Sequence, residues 1–495
     1  MPNTKTIPEI SSRTAPDGRV GIIDIGSNSI RLVVYDAHKR SPVPIYNEKV
    51  LCALGKGLAV SGVLNPAGVE MGKTALRRFV AMGRNMQICA LHVMATAAIR
   101  DAKDGREFTS WLEAEYNVKV DIISGEEEAR LGAFAVCSAI YQPSGVTADL
   151  GGGSLELVRV HGDETLKHTS LPLGSLRMLD ESKGDRGKLR KLIDKRFAEI
   201  DWIYDEEAEN IYAIGGSFRA LAKMHMKDAN YPLQILHEYT VEAKQFISFL
   251  RAISTMPIEK LEKYSDAAKR APTLIGAAMV LEKLLISSAA RRVVFSASGI
   301  REGYVYGKLS AAKREQDGLL FSCHEFAARG GRSADYANEL FAWMQPLLSS
   351  ENEREKRLRL AFCLLSDIAL HIHPEYRAEW AFDRIIFSAF TSITHRERVT
   401  LALALYHRYQ FKLKTDFPAL KLITQNDMKW AKLLGTAANL AYHLSGSITG
   451  NLPRTAIAIK SEHIALQFVG DMADAMGDAI QKRIDGVDEA YRNYR

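Results

Sequence analysis

The segment "VGIIDIGSNSIRLVVYD", residues 20–36, contains two apolar runs with a short polar turn between them. Apolar residues alternate on both sides of the turn, which predicts two antiparallel strands joined as a hairpin. The first strand carries Asp24 near its end, and the turn continues through Gly26, Asn28 and Ser29. A simple connection needs neither an acid nor a run of small polar residues, so this turn requires a further explanation.

A second copy of the segment lies 125 residues further along the chain. Residues 147–158 read "TADLGGGSLELV", in which Asp149 takes the place of Asp24 and Glu156 that of Arg31. Alternating strand and helix patterns follow each copy, as is typical of α/β sheets. The repeat therefore predicts two similar α/β lobes, residues 20–141 and 142–305, with a cleft between them.

The turns of both copies have the composition of a phosphate site. Backbone N–H groups of a glycine-rich turn form an anion-binding nest. A carboxylate beside a phosphate can hold Mg²⁺, which prefers one or two carboxylates together with water and phosphate oxygens. A purely structural turn would explain one copy, but two matched copies favour an anion site.

Two further turns have related chemistry. In "AIGGSFRALAK", Gly215, Gly216 and Ser217 separate a strand from a helix, and a helix N-terminus binds anions through its free N–H groups and its dipole. In "SASGIREGYVYG", Gly299 and Arg301 give a weaker signal of the same kind. The sequence thus predicts that several phosphate-binding turns face one cleft.

Composition restricts the class of protein. The chain has 495 residues, of which 47% are hydrophobic and 25% charged, as expected for several globular domains. The net charge of +6 suits an anionic ligand but is small for a specific nucleic-acid-binding protein. The five cysteines form no CxxC pair, so neither a zinc site nor a disulfide framework is indicated. Residues 1–19 are expected to form a flexible tail without a signal peptide, and we expect a cytoplasmic protein without a membrane span.

Seven motifs along residues 20–305 together resemble the Ppx/GppA family of exopolyphosphatases and guanosine pentaphosphate phosphohydrolases. Besides the four turns, they are "ATAAIRDAKD", "ISGEEEARLGAFAV" and "LPLGSLRM", in the family's order. The resemblance implies two actin-like (ribonuclease H-like) ATPase lobes, the fold of sugar kinases and heat-shock chaperones. It also implies Mg²⁺-dependent removal of terminal phosphate from inorganic polyphosphate or guanosine pentaphosphate, and a homodimer.

The resemblance also implies roles for individual residues. The expected catalytic base is the glutamate before Ala-Arg in "SGEEEAR", which is Glu128, although Glu127 stays open because three acids are consecutive. Asp149 and Glu156 are the expected catalytic and metal-binding acids of the second hairpin, and Asp24 is the expected metal ligand of the first. The residues expected to bind phosphate are Asn28, Ser29, Arg31, Arg100, Gly151, Gly152, Gly153, Ser154, Gly215, Gly216 and Ser217.

These expected roles agree with the chemistry of the side chains. Hydrolysis of a phosphoanhydride needs positioning, charge neutralisation and an oriented water. Arg31 and Arg100 can neutralise phosphate oxygens with a fork of donors, and the carboxylate of Glu128 can take a proton from water. The residues alone leave an alternative for each side chain. Glu128 would be an acid at the start of a helix, where the helix dipole favours negative charge, and Arg100 would be a surface arginine.

Helical periodicity dominates after residue 307. We expect a linker over residues 306–320 and an all-helical domain over residues 321–495, which the resemblance relates to HD phosphohydrolases. Their metal site requires an adjacent His-Asp pair, and here Ser366 precedes Asp367, so satisfied helix histidines are favoured over a metal site. A basic run that starts at His395 is either a guide for a long polyphosphate or a solvated helix face. Two short strands are expected in "NLPRTAIAIK" and "HIALQFVG".

Three functions follow from these patterns. An exopolyphosphatase is favoured, because paired phosphate turns accompany a basic helical domain long enough for an extended substrate. A guanosine pentaphosphate 5′-phosphohydrolase would use the same turns. A non-catalytic nucleotide-dependent scaffold is the third, and the intact acids Glu128, Asp149 and Glu156 argue against it. A phosphotransferase is a lesser alternative, because no pattern indicates a sugar-hydroxyl pocket.

Overall fold

The computed structural model describes residues 18–205, 207–264, 270–329, 334–460 and 462–495. The chain forms two compact units, residues 1–315 and 316–495. The break falls within the segment 306–320 that the sequence predicts as a linker, and the predicted tail lies almost wholly outside the described residues. In the described ranges, no helix has both the length and the apolar character that crossing a bilayer requires.

Two sheets with a common strand order build the first unit, as far as its residues are described. One consists of β1 (Val20–Ile25), β2 (Ile30–Tyr35), β3 (Pro44–Val50), β4 (Ala90–Ala95) and β5 (Val120–Ile122), in the order β3-β2-β1-β4-β5. The other consists of β6 (Ser144–Leu150), β7 (Leu155–His161), β8 (Glu164–Leu171), β9 (Asn210–Ile214), β10 (Tyr239–Glu242) and β11 (Arg292–Phe295), in the order β8-β7-β6-β9-β11-β10. The second sheet therefore repeats the first and adds the antiparallel edge strand β10, which lies where the sequence predicts only helix.

The two predicted hairpins have the same register. Asp24 lies opposite Arg31 in the β1–β2 pair, and Asp149 lies opposite Glu156 in the β6–β7 pair. In each turn, the N–H group of the first glycine donates to the carbonyl oxygen three residues later, at 3.0 Å. The duplication read from the sequence is thus confirmed in the backbone, and the repeated sheets have the predicted actin-like arrangement.

The helices of the first unit follow the predicted strand–helix alternation. These helices are α1 (Leu58–Ser61), α2 (Pro66–Asn85), α3 (Ala97–Asp101), α4 (Gly105–Tyr116), α5 (Gly125–Ala139), α6 (Ser175–Ser182), α7 (Arg186–Phe197), α8 (Gly216–Asp228), α9 (Ala243–Thr255), α10 (Ile258–Leu261), α11 (Ala271–Ser287), α12 (Ile300–Gly307) and α13 (Ala311–Arg314).

Helices α5 and α12 connect the two sheets. Leu131 of α5 shares a buried apolar cluster with Ile22 of the first sheet, while Ala133 shares one with Val158 of the second. Helix α12 crosses α5 closely, since a side chain at Gly303 would clash with the carbonyl group of Leu131. Residues 300–305, which the sequence assigns to the second lobe, therefore pack on the first sheet.

The second unit is helical except for one hairpin, as far as it is described. Its helices are α14 (Gly318–Arg329), α15 (Ala334–Trp343), α16 (Glu353–Leu365), α17 (Arg377–Phe387), α18 (His395–Tyr409), α19 (Gln425–Ser445) and α20 (Asp478–Tyr494). Capping boxes start α16, α18 and α19. The antiparallel pair β12 (Thr455–Lys460) and β13 (His463–Phe468) confirms the two predicted strands. The relation to HD phosphohydrolases stays a prediction.

The basic run that starts at His395 is partly buried and partly exposed. Arg398 is buried and donates to the carbonyl oxygen of Phe390 at 2.6 Å. Arg408 is buried and pairs with Asp367 at 3.0 Å, and His395 is buried as well. Arg396, Lys412 and Lys414 of the same run are exposed, so the run is not one continuous basic helix face, and a guide for polyphosphate stays a prediction.

Candidate active site

A cleft of the first unit collects all four predicted turns around roughly 1000 Å³ of open space. The turns connect β1 to β2, β6 to β7 and β9 to α8, and the fourth precedes α12. The turn residues that line the cleft are Gly26, Ser27, Asn28, Ser29, Gly151, Gly152, Gly153, Ser154, Gly215, Gly216, Ser217 and Gly299. The predicted phosphate-binding turns are therefore brought together.

Glycine is required where these turns meet. Gly215 has a φ of 100°, and a Cβ atom there would clash with the carbonyl oxygen of Leu150. A Cβ atom at Gly152 would come within 2.7 Å of the Cβ atom of Ser27, in the turn of the other hairpin. The two hairpin turns thus approach each other so closely that one phosphate chain can contact both backbones.

Helix N-termini add to the positive character of the cleft. Among the described helices, α3, α6, α8 and α12 begin at residues that line it. The N-terminus of a helix carries a partial positive charge and unsatisfied N–H groups. This arrangement favours an anion in the cleft.

Of the acids predicted at the site, Asp24, Glu128 and Asp149 line the cleft. Asp24 accepts a hydrogen bond from the Arg301 guanidinium at 2.9 Å. Within the part of the chain that the structure describes, no side chain forms an ion pair or hydrogen bond with the carboxylate of Asp149. Asp149 therefore presents to the cleft a carboxylate that no described side chain bonds directly.

Burial raises the pKa values of these acids. Burial, and then the charge of Asp24, raise the pKa of Asp149 to about 6, against the attraction of Arg219. Burial raises the pKa of Glu128 to about 7, although Arg100 counteracts it. A cation or a proton is therefore needed to stabilise this group of carboxylates.

The first turn of α5 distinguishes the three consecutive acids. Ser124 caps the helix by accepting a hydrogen bond from the N–H group of Glu127 at 3.1 Å. Glu127 forms two bonds to Arg130, at 2.7 and 2.8 Å, and Glu126 is exposed. Of the three acids, Glu128 lines the cleft. The position of the side chain thus favours Glu128 over Glu127 as the candidate base.

Arg100 does not lie among the residues that line the cleft. Its Nη1 atom donates to Glu128 Oε2 at 3.1 Å and to the carbonyl oxygen of Ile123 at 2.9 Å. The expected contact with phosphate is therefore not what this placement supports. Arg100 contacts Glu128 in this arrangement, and its expected role in phosphate binding stays a prediction.

Glu156 lies behind the cleft wall. It is 2% exposed and is not among the lining residues. Its Oε1 atom accepts a hydrogen bond from Ser170 Oγ at 3.2 Å. Burial raises its pKa well above the usual value, and the charges of Glu128 and Asp149 raise it further. The buried carboxylate of Glu156 is thus not among the groups that line the cleft, and its expected roles in catalysis and metal binding stay predictions.

Five basic side chains line the described part of the cleft: Arg31, Lys49, Arg219, Arg270 and Arg301. Of these five residues, the sequence predicts only Arg31 as a phosphate ligand. The turn that contains Arg301 gives only a weak signal of phosphate binding. Lys49 could have been found from pairing, because it lies opposite Arg31 in the β2–β3 register. Arg219 follows the third glycine turn by two residues, whereas no motif marks Arg270.

Glu302 holds the fourth turn in place. Its Oε2 atom accepts a hydrogen bond from the N–H group of Gly299 at 2.8 Å, and its Oε1 atom accepts one from the Tyr35 hydroxyl at 2.5 Å. Burial alone would raise the pKa of Glu302, but Arg301 and these hydrogen bonds lower it overall. Glu302 therefore stays ionised behind the basic wall of the cleft.

The carboxylates of the cleft fit a divalent metal that shares its coordination with phosphate. Among the described residues, no group of three or more His, Cys, Asp or Glu side chains could hold a metal ion alone. Mg²⁺ needs only one or two carboxylates when phosphate and water complete its octahedron. Asp149, which no described side chain bonds directly, and Asp24 could supply such a pair.

Comparisons with known proteins agree with this geometry. Residues 15–312 match the Ppx/GppA phosphatase family, and residues 319–490 match "Exopolyphosphatase, C-terminal". Exopolyphosphatase 1 of Mycobacterium tuberculosis is 29% identical over 336 residues, which cover 64% of this chain and 96% of that protein. The guanosine-5'-triphosphate,3'-diphosphate pyrophosphatase of Aeromonas hydrophila is 24% identical over 474 residues, which cover 91% of this chain and 92% of that protein.

Solved structures support the fold. An exopolyphosphatase from Cytophaga hutchinsonii superimposes with a TM-score of 0.54 and 22% identity, covering 58% of this chain and 96% of that structure. The Ppx/GppA family member of Aquifex aeolicus superimposes with a TM-score of 0.51 and 23% sequence identity, covering 61% of this chain and 99% of that structure. The family match spans more than half of the chain, and the four turns of the chain line one cleft. The protein therefore belongs to the Ppx/GppA phosphatase family.

Proposed function

We propose that this protein is an exopolyphosphatase, a phosphoanhydride hydrolase that releases orthophosphate from the ends of inorganic polyphosphate. The observation that carries the proposal is the lining of the cleft, which consists of glycine-rich turns and basic side chains. Among the described residues no aromatic side chain lines it, whereas a nucleobase usually needs an apolar or aromatic surface. The similarity to exopolyphosphatases supports the same substrate.

The chemistry requires an activated water and neutralised phosphate oxygens. Glu128 takes a proton from the attacking water, and Arg100 holds its carboxylate in place at 3.1 Å. The glycine turns fix the terminal phosphates through backbone N–H groups, and the basic side chains neutralise their charge. The charges of Glu128 and Asp149 raise the proton affinity of Glu156, which lies behind the cleft wall.

We assign Mg²⁺ to Asp24 and Asp149. The bound metal would neutralise phosphate oxygens and lower the charge repulsion that hinders water attack. Arg301 pairs with Asp24 at 2.9 Å, so Arg301 is close enough to exchange this carboxylate for a phosphate oxygen.

Homodimer formation and a cytoplasmic location remain proposals from the sequence, to be tested by light scattering and by cell fractionation.

The first experiment compares substrates. Orthophosphate release is measured with long-chain polyphosphate and with guanosine pentaphosphate, at equal terminal-phosphate concentration and with Mg²⁺. A strong preference for polyphosphate is expected. A preference for the nucleotide would favour the alternative phosphohydrolase, which the match to the Aeromonas hydrophila protein over 91% of this chain keeps in view. Binding without release from either would favour a scaffold.

The pKa of Glu128 predicts the acidic limb of the pH–rate profile. The base must be deprotonated, so kcat/KM should rise with pH through about 7 and then level off. The positive charge of Arg100 holds this pKa down. In Arg100→Met the limb should therefore move to higher pH, by on the order of one unit. A limb that stays in place in Arg100→Met would contradict the assignment of Glu128 as the group that titrates.

Lys49 should bind phosphates next to the reacting one. Burial, and then the charges of Arg270, Arg31 and Arg301, lower the pKa of Lys49 to about 8, against the attraction of Asp24. Such a group of cations is unfavourable until a polyanion enters it. The cluster therefore favours a substrate with several consecutive phosphates.

Replacing Lys49 should mainly affect substrate affinity. We expect Lys49→Met to raise KM for polyphosphate about tenfold, because a charge-assisted hydrogen bond to phosphate is lost, with a smaller effect on kcat. In the wild-type protein KM should rise above pH 8 as the amine loses its proton, and Lys49→Arg should suppress this rise. Lys119→Met, at a position 84% exposed, is the matched control. Equal KM values for Lys49→Met and the control would exclude Lys49 from binding.

A further inference from the structure

The helical unit contains a second cavity, which is separate from the four turns. It lies between α14, the end of α16 and α17, and encloses about 1040 Å³ of space. Aliphatic side chains from the end of α16 and the following turns form much of its wall. Phe326 of α14 and Trp380 of α17 add aromatic surface to it. A mostly apolar cavity with a few polar groups is the usual form of a small-molecule site.

The aromatic wall is combined with positive charge. The Arg384 guanidinium lies 4.8 Å from the ring centroid of Phe326 and 5.9 Å from that of Trp380. Within the described part of the helical unit, no carboxylate lies within ion-pair distance of Arg384. Arg329 and His371 also line the cavity, and both are exposed. The cavity therefore offers two rings for stacking and the guanidinium of Arg384 beside them.

The acid in the cavity wall does not cancel this charge. Asp367 is buried, and its Oδ1 atom accepts a hydrogen bond from Arg408 at 3.0 Å. Their side chains are 6% and 3% exposed, so Arg408 compensates Asp367 inside the unit. Asp367 follows Ser366 in the chain, where an HD phosphohydrolase would need the adjacent His-Asp pair of its metal site. The cavity consequently has an apolar and aromatic interior with a basic edge.

We propose that this cavity binds a nucleoside phosphate. Stacking of a base on an aromatic side chain is favourable and tolerates every base, because each base has a π face. An arginine near the ring face adds a cation–π contact and can reach a phosphate oxygen. A base would stack on Trp380 or Phe326, and its phosphates would lie toward Arg384. The cleft of the first unit shows the opposite pattern, with phosphate-binding groups and no aromatic lining among its described residues.

The probe for this site is ATP, titrated into the full chain by calorimetry without added divalent metal. Excess tripolyphosphate is present, so that the cleft is filled with a ligand that lacks a base. We expect ATP to bind under these conditions. Arg384→Leu and Trp380→Leu should each raise its Kd at least about tenfold, from the loss of the cation–π contact or of stacking. Lys421→Leu, an exposed position of the same unit, should leave the Kd unchanged.

Two results would overturn the proposal. One is the absence of ATP binding, or its complete displacement by tripolyphosphate, which would confine nucleotide binding to the cleft. The other is an unchanged Kd in both Arg384→Leu and Trp380→Leu. Circular dichroism of each variant verifies that the helical unit is folded, and the exposed position of Arg384 makes that variant a mild change. Phosphate release from polyphosphate, measured on the same wild-type preparation, tests the proposed enzyme separately.

Discussion

Glu128→Gln is expected to lower kcat for polyphosphate hydrolysis by about 10²–10⁴-fold, the usual contribution of a general base. Glutamine keeps the shape of the side chain and can still accept the hydrogen bond from Arg100, which is 3.1 Å long in the wild-type protein. It cannot take a proton from water at neutral pH. The phosphate-binding turns stay intact, so KM should change little.

The matched control is Glu127→Gln. It removes the same charge one residue away, from a partly exposed side chain that pairs with Arg130. Because surface substitutions of this kind have small effects, we expect activity within about twofold of wild type. If Glu128→Gln kept more than a tenth of the wild-type kcat, Glu128 would not be the base. Equal losses in both variants would instead indicate a disturbed start of α5.

Asp149→Asn should abolish most of the activity and yet stabilise the ligand-free protein. The variant removes the carboxylate that we assign to Mg²⁺, and loss of one electrostatic stabiliser typically costs about 10²–10³-fold in kcat. The folded-state pKa of Asp149 is about 6, above its ordinary value of 3.8. The folded protein therefore binds the proton more tightly than the unfolded chain does, and its stability falls as pH rises from about 4 to 6. Asparagine cannot ionise, so this loss disappears.

Urea denaturation at pH 4.5 and pH 8 tests the second part. The free energy of unfolding of Asp149→Asn should exceed that of wild type by on the order of 2–3 kcal/mol at pH 8, since each pKa unit corresponds to about 1.4 kcal/mol, and by much less at pH 4.5. Added Mg²⁺ should stabilise the wild type more than the variant. Asp205→Asn, at a half-exposed surface pair with Lys167, is the control and should change little at either pH. If Asp149→Asn kept full activity and Mg²⁺ stabilised it as much as the wild type, Asp149 would not belong to the metal site.

The sequence predicted the parts of the site that depend on local chain geometry. A hairpin turn fixes its own backbone, so matched turns such as those after Asp24 and Asp149 could be placed from their composition. The side of α5 that faces the cleft also follows from helix geometry once the cleft is known. These features account for the phosphate-binding turns and for Glu128.

The remaining parts depend on distant segments and could not be read from a motif. Arg100 bonds to the Glu128 carboxylate because α3 and α5 meet, and no motif in the sequence indicates this contact. Glu156 aligns with Arg31 in the repeat, but Ser170 of the neighbouring strand covers it. In the helical unit, the periodicity of α18 gave no sign that Arg408 is buried beside Asp367.

The crossing of α12 also sets an order of events during synthesis. One face of the first sheet is covered by Tyr304 and Val305, in one cluster with Ile22 and Tyr35. This face cannot be completed until α12 has left the ribosome, some 270 residues after β2. At about 5–20 residues per second, the delay is about 15–60 seconds. The nascent first lobe therefore spends that time with exposed apolar surface, and a chain that stops before residue 300 should aggregate instead of yielding a separate folded lobe.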